Sequence, residues 1–268
     1  MNMDHDTITD SWNWTYIALS YLIASVASYL SLELASRAGT LGQRGGRFWL
    51  VAQGLVLGYG IWAMHFIGML AFQVDSGVTY NLPITALSGL AAIAFLIPAT
   101  FIADGGHGTN LPRLVAAGSV AGTGIVIMHY LGMAAMHLSG ARVQYQPVYF
   151  GLSVLIALSA ATVAFGLFRV ARSEWAQKQR AALLIGLKAA AGLVMGVAIV
   201  GMHYTGMAAV QYRLDMTAVG QDSLVNIDND SLGLSVGLIT ALLLALVVAL
   251  LVSSAPVRDI RQKLNRSD

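Results

Sequence analysis

Seven stretches of this chain are each apolar for long enough to cross a lipid bilayer, and that constrains the fold more than any other feature. A helix needs about 20 apolar residues to span the hydrocarbon core. The runs lie near 14–36, 48–74, 82–103, 111–138, 148–170, 183–212 and 232–254. They are too long for transmembrane strands and lack strict alternation. Lipid offers the backbone no hydrogen-bond partner, so each run satisfies its own amides as a helix. The expected fold is therefore all-α, a polytopic membrane protein of seven transmembrane helices. Only 10% of the residues are charged, against about 25% in a soluble domain, so most of the surface faces lipid. Residues 1–255 read as one membrane domain and 256–268 as a basic cytoplasmic tail.

The polar segments set an orientation. Basic residues collect on the cytoplasmic side of membrane proteins. With the N-terminus outside, thirteen of the fifteen Lys and Arg residues fall inside, Lys188 among them, and only Arg142 and Arg213 fall outside. The expectation is a multi-pass cell-membrane protein with its N-terminus out and its C-terminus cytoplasmic. The acidic start MNMDHDTITD lacks the basic beginning of a cleaved signal peptide, so the first run is retained. The net charge of +2 is a topology signal, not a nucleic-acid footprint. The chain has no cysteine, which excludes disulfides, thiolate metal sites and cysteine nucleophiles. Trp12, Trp14, Tyr80, Tyr145 and Tyr149 are placed to form an outer aromatic belt. Glu33 and Arg37, four apart, fit a helix-surface pair.

An internal repeat carries the functional signal. Run two holds Gly54, Gly58, Met64, His65, Phe66, Gly68, Met69 and Ala71. Run four holds Gly118, Gly122, Met128, His129, Tyr130, Gly132, Met133 and Ala135. Run six holds Gly192, Gly196, Met202, His203, Tyr204, Gly206, Met207 and Ala209. All three read G-x3-G-x5-M-H-[FY]-x-G-M-x-A without a gap. The unit is a helical hairpin, helices one and two, three and four, five and six, with the seventh helix an addition. The motif helices run parallel, so an axis along the membrane normal can relate them. A pseudo-threefold arrangement brings His65, His129 and His203 towards that axis. The G-x3-G pairs let backbones approach closely in lipid. They lie two turns before each histidine, so the packing face is expected to carry the imidazole.

Ionisable side chains within a membrane are costly and mark functional sites. Three imidazoles near one axis leave several polar nitrogens to satisfy in apolar surroundings, and a bound metal satisfies one on each. Met69, Met133 and Met207 follow the histidines by four and share their helix face. Imidazole with thioether favours copper, above all Cu(I). Zinc, which accepts three histidines with an open position, is the alternative. Methionine is also a common core filler, so ligation by thioether stays open. His137, four residues after Met133, is a fourth or entry ligand, or else an interfacial residue. A rise of 1.5 Å per residue from His65 to Asp75 puts the site roughly 15 Å below the outer loop, reached from outside. His5 and His107 are weaker candidates, on the N-terminus and in an inner loop.

The sequences MHFIGM, MHYLGM and MHYTGM resemble the MHYT family of bacterial integral membrane sensor domains. The resemblance covers essentially the whole chain. Phe66 replaces the family tyrosine in the first copy, and Ile67 and Leu131 replace its threonine; neither change removes a proposed ligand. The resemblance implies a copper-binding sensor of a diatomic gas, namely oxygen, carbon monoxide or nitric oxide. Relatives place cyclic-di-GMP synthase or hydrolase domains after the membrane domain. This sequence stops at Asp268, so the expectation is either output to a separate cytoplasmic partner or a domain excised from a longer protein. The competing reading is a membrane metalloenzyme, a three-histidine zinc or copper centre activating water or oxygen. No carboxylate near the motif supplies a general base, which counts against hydrolysis. A metal transporter is less well supported, because the motifs cluster at one depth.

Overall fold

The computed structural model describes residues 10–40, 43–74, 78–104, 110–138, 141–214 and 225–254. His5, His107 and the tail at 256–268 lie outside the described residues. The seven runs are seven long helices: α1 (Trp14–Thr40), α2 (Gln43–Met69), α3 (Leu82–Asp104), α4 (Leu111–Ala135), α5 (Pro147–Arg172), α7 (Ala181–Ala208) and α8 (Asn229–Ser253). A one-turn helix, α6 (Glu174–Gln177), joins α5 to α7. Mean hydropathy over the best window of each long helix runs from 1.5 to 2.9, so the chain is a multi-pass membrane protein. Pro112 and Pro147 open α4 and α5, where a missing N–H costs nothing because the first turn has no intrahelical acceptor.

Six of these helices close a ring: α1 packs on α2, α2 on α3, α3 on α4, α4 on α5, α5 on α7, and α7 on α1. The motif helices α2, α4 and α7 also touch one another across the middle. The added helix α8 lies outside the ring against α2 and α1, where Val247 and Leu251 bury with Leu30, Leu34, Trp49 and Leu50.

The strands were not foreseen. The hydropathy pattern runs the motif helices on to 74, 138 and 212, but they end at Met69, Ala135 and Ala208. The remaining residues form β2 (Phe72–Val74), β4 (Met136–Leu138) and β6 (Val210–Leu214). Each pairs antiparallel with the strand that precedes the first helix of its hairpin: β1 (Asp10–Trp12) with β2, β3 (Val78–Asn81) with β4, and β5 (Ala141–Tyr145) with β6. The repeat is thus β-α-α-β, in the phase the hairpin reading expects. A seventh strand, β7 (Asn226–Asp228), adds to β3 and leads into α8. Hydropathy cannot separate such an apolar strand from one more helical turn, which is why the expected helices overran.

Three further expectations are corrected. Tyr80 is not part of an aromatic belt: it is 1% exposed and packs edge-on against Phe66 at 6.0 Å. Glu33 does not pair with Arg37 but with Lys188 of α7, at 3.0 Å. Arg37 instead donates to Ser254 Oγ at 2.7 Å and the Leu251 carbonyl at 2.6 Å, and lies over Trp49. Lys188 is therefore no loop residue. It is buried inside a transmembrane helix, where a cation requires a partner.

Candidate metal centre

His65, His129 and His203 lie four, six and five residues before the ends of α2, α4 and α7, in the last two turns of each motif helix. His65, His129 and His203 are 0%, 1% and 1% exposed. Their ring centroids are 4.9, 5.0 and 5.3 Å apart, with every pair near edge-to-face. Nδ1 of His65 lies 3.0 Å from Nδ1 of His203 and 3.2 Å from Nδ1 of His129. One ring nitrogen from each histidine thus lies within 4.8 Å of the others. Metal–imidazole bonds of about 2.0–2.1 Å, at tetrahedral angles, require nitrogens about 3.3–3.4 Å apart. The spacing here is within a few tenths of that for two of the pairs, so the three buried histidines could bind one metal ion.

The glycines explain how three rings fit. A Cβ on Gly132 would collide with Nε2 of His65; one on Gly206 would collide with Nε2 of His129. A Cβ on Gly68 would lie 2.6 Å from Nε2 of His203. Each imidazole therefore leans on the motif glycine of the next motif helix, in cyclic order. Its Nδ1 is turned to the axis by the same contact. No Nε2 meets a hydrogen-bond partner of full geometry, although His203 approaches one in the Gly68 backbone. A metal on Nδ1 leaves the proton on Nε2, facing that glycine turn.

The G-x3-G pairs do something different from what their spacing suggests. They do not face the axis. Gly54 and Gly58 meet Ile97 and Ile93 of α3, Gly118 and Gly122 meet Thr162 and Leu158 of α5, and Gly192 and Gly196 meet Ser25 and Tyr29 or Tyr21 of α1. Each pair seats its motif helix against a first helix of another hairpin, and so closes the ring.

The aromatic residue after each histidine braces it edge-on, at 4.8, 4.8 and 4.7 Å for Phe66, Tyr130 and Tyr204. The tyrosines are held in turn by a serine missed in the sequence. Tyr130 bonds Ser153 at 2.7 Å and Tyr204 bonds Ser20 at 3.4 Å. Phe66 has no hydroxyl, and the equivalent Ser88 is bonded instead by Nε1 of Trp62 at 3.1 Å. Ser20, Ser88 and Ser153 are fully buried, and each gives its own proton to the carbonyl three residues back. They therefore accept from the tyrosine or tryptophan. The signal was available: Leu19-Ser20-x-Leu22, Leu87-Ser88-x-Leu90 and Leu152-Ser153-x-Leu155 repeat through the first helices. We expect Ser153→Ala to destabilise the protein by about 1–2 kcal/mol, because it leaves the Tyr130 hydroxyl unpaired. Ser20→Ala should cost less, since its bond is longer; denaturant unfolding in detergent compares the two.

Met69, Met133 and Met207 are buried in the same core cluster, as are Met64, Met128 and Met202. His137 stands apart from the three-histidine group. It lies on β4 opposite Thr79, with its Nδ1 3.0 Å from the carbonyl two residues back, Ala135 O. Phe72, Tyr80, Met136 and Leu138 of β2, β3 and β4 are buried in that same core cluster. Among the described residues no Asp or Glu is buried, so nothing anionic faces the triad.

Three parallel helices that each deliver one buried imidazole to a common axis define a repeat-built, multi-pass membrane protein with a single histidine centre. The sequence profile of the MHYT family, described as a bacterial signalling protein N-terminal repeat, matches residues 58–117 and 122–180. This chain belongs to the MHYT family. Both matches begin on a motif glycine, Gly58 and Gly122, and so divide the repeat one helix later than the strand pairs do. The chain is 36% identical to the signaling protein YkoW of Bacillus subtilis over 78% of its length. It is 39% identical, over 77%, to the bifunctional diguanylate cyclase/cyclic di-GMP phosphodiesterase MucR of Pseudomonas aeruginosa, and 41% identical, over 74%, to the cyclic di-GMP phosphodiesterase NbdA of the same organism. The matched region spans only 25%, 29% and 25% of those relatives. No solved structure matches the chain.

Proposed function

We propose that this domain binds one copper ion, as Cu(I), on His65, His129 and His203, and uses it to sense a diatomic gas. The observation that carries this reading is three convergent, fully buried Nδ1 atoms with no buried carboxylate among the described residues. Neutral imidazoles add no charge, so the ion's whole charge remains in an apolar setting. The solvation cost of a buried ion rises with the square of its charge. A monovalent ion is therefore favoured over Zn(II) or Cu(II). Imidazole suits copper, and thioethers from Met69, Met133 and Met207 would favour Cu(I) further. Copper bound this way offers an open position to oxygen, carbon monoxide or nitric oxide. The protein's own part is to hold the rings, exclude water and keep Nδ1 unprotonated.

Ligand binding that shifts one motif helix would be passed to the far end of the bundle. Packed helix interfaces switch between discrete arrangements. Helix α7 carries His203 and also Lys188, which holds Glu33 on α1; four residues on, Arg37 grips the end of α8. With the histidine end outside and α8 ending at the cytoplasm, the signal would reach a partner there. The names of MucR and NbdA make cyclic-di-GMP turnover the natural output.

Metal analysis of purified protein after reconstitution with Cu(I) and with Zn(II) tests this reading. One copper per chain is expected. Each of His65→Ala, His129→Ala and His203→Ala should lower copper affinity by about 100-fold or more, since three ligands share one ion. Wild-type protein that retains neither metal would refute it. A shifted carbon monoxide infrared band on the copper-loaded protein is expected, and its absence would remove the gas.

A further inference from the structure

A cavity of about 300 Å³ lies within the ring, on the far side of the histidines from the strands. Its roof is Ile61, Ile125 and Ile199. Each is four residues before a motif histidine, a ninth repeated position that the eight-residue motif passes over. One helical turn, about 6 Å, therefore separates the roof from the imidazoles. The lining is apolar apart from Ser159, whose hydroxyl is spent on its own helix at Leu155 O, 2.7 Å away.

The threefold pattern fails on one side of this cavity. In the best window of α2, 72% of residues are buried, but in that of α7 only 22%. Beyond the centre α1 meets α5 directly, with Ser36 Oγ donating to the Ala171 carbonyl at 3.0 Å. On this side the cavity lies between α5, which contributes Ala160, and α7, which contributes Ala198. Val163 of α5 and Val194 of α7 line the cavity and are also 61% and 63% exposed on the bundle's lipid-facing side. The cavity thus opens sideways, within the span of the bilayer.

We propose that this cavity is a lateral entry site for small apolar gas molecules, which reach the histidine centre from the lipid phase between α5 and α7. Diatomic gases are apolar and concentrate in hydrocarbon. An apolar cavity of this size stays dry and takes up such molecules. Water and ions are turned away by the lining, which offers them no polar partner. The isoleucine roof is the last barrier, and side-chain rotation is fast enough to pass a diatomic molecule. For its purpose the inference rests on the gas-sensing reading, but its test does not need the metal.

Metal-free protein in lipid nanodiscs, with isoleucine methyls labelled, is equilibrated with dissolved oxygen, which is paramagnetic and speeds relaxation of the methyls it touches. The Ile61, Ile125 and Ile199 methyls should gain at least about threefold more relaxation than those of Ile23 and Ile67, which are buried away from the cavity. Ala160→Trp, filling the gap from α5, or Ala198→Trp, filling it from α7, should reduce that gain to the level of Ile23 and Ile67. Equal relaxation of roof and control methyls in wild-type protein would overturn the cavity as a gas site. A gain that survives in both Trp variants would overturn the lateral route. The wild-type comparison decides the cavity even if neither variant folds. A positive result in protein that never binds copper would leave the cavity standing and remove the sensor.

Discussion

Gly132→Ala is expected to weaken metal binding by about 100-fold, although residue 132 offers no ligand. Its new Cβ would occupy the space of His65 Nε2. The ring cannot retreat towards the axis, where Nδ1 already lies 3.0 and 3.2 Å from its partners. It cannot tilt aside either, because Phe66 braces it at 4.8 Å. Overpacking of this kind costs about 1–3 kcal/mol in stability, so the variant should fold with a displaced imidazole. Gly68→Ala and Gly206→Ala should act alike through His203 and His129. Gly166→Ala is the control: nothing lies within 4 Å of a Cβ there, and alanine in an open helix position is neutral or mildly stabilising. Metal stoichiometry and affinity, measured beside denaturant unfolding, check the set. Wild-type affinity in Gly132→Ala would show that the glycine only packs helices.

Lys188→Met is expected to destabilise the protein by about 1–3 kcal/mol, because it leaves the part-buried Glu33 carboxylate without its charged partner. The Lys188 and Glu33 side chains are 6% and 23% exposed, and their charged atoms are 3.0 Å apart. The Tyr29 hydroxyl, 3.5 Å from the carboxylate, is too distant and too weak to replace the ammonium. Combining Lys188→Met with Glu33→Gln should recover most of the loss, because a neutral amide needs no counter-charge. Copper binding should survive in the double variant, since neither residue belongs to the histidine group. Response of the output to gas should fall, because the link from α7 to α1 is gone. Unfolding in detergent reads the first effect, and turnover by a coupled cytoplasmic domain reads the second. Equal stability of the single and double variants would mean that the pair is not the coupled unit the geometry describes.

Much of this architecture was legible in the chain because lipid is a simple solvent. Helices must satisfy their own backbone, so apolar length alone located seven spans. The three copies of the histidine motif also implied one depth and one axis. Their partners were harder to see. Ser20, Ser88 and Ser153 repeat as faithfully as the histidines, but a serine in an apolar helix has little diagnostic weight until a tyrosine is seen on it. Ile61, Ile125 and Ile199 were hidden by being apolar in apolar helices.

The sequence by itself determined the helices, their parallel repeat and the three imidazoles at one level, because hydropathy and gapless spacing are properties of the chain alone. Only the tertiary structure decided which nitrogen faces the axis, and that the leaning of each ring on the next helix's glycine turns it there. Only the structure paired Glu33 with Lys188 and not with Arg37, since partners 155 residues apart meet only when the ring closes. The strand pairs and the cavity between α5 and α7 belong to it as well. Contacts between distant segments depend on how helices lean, and periodicity within one helix carries no record of that.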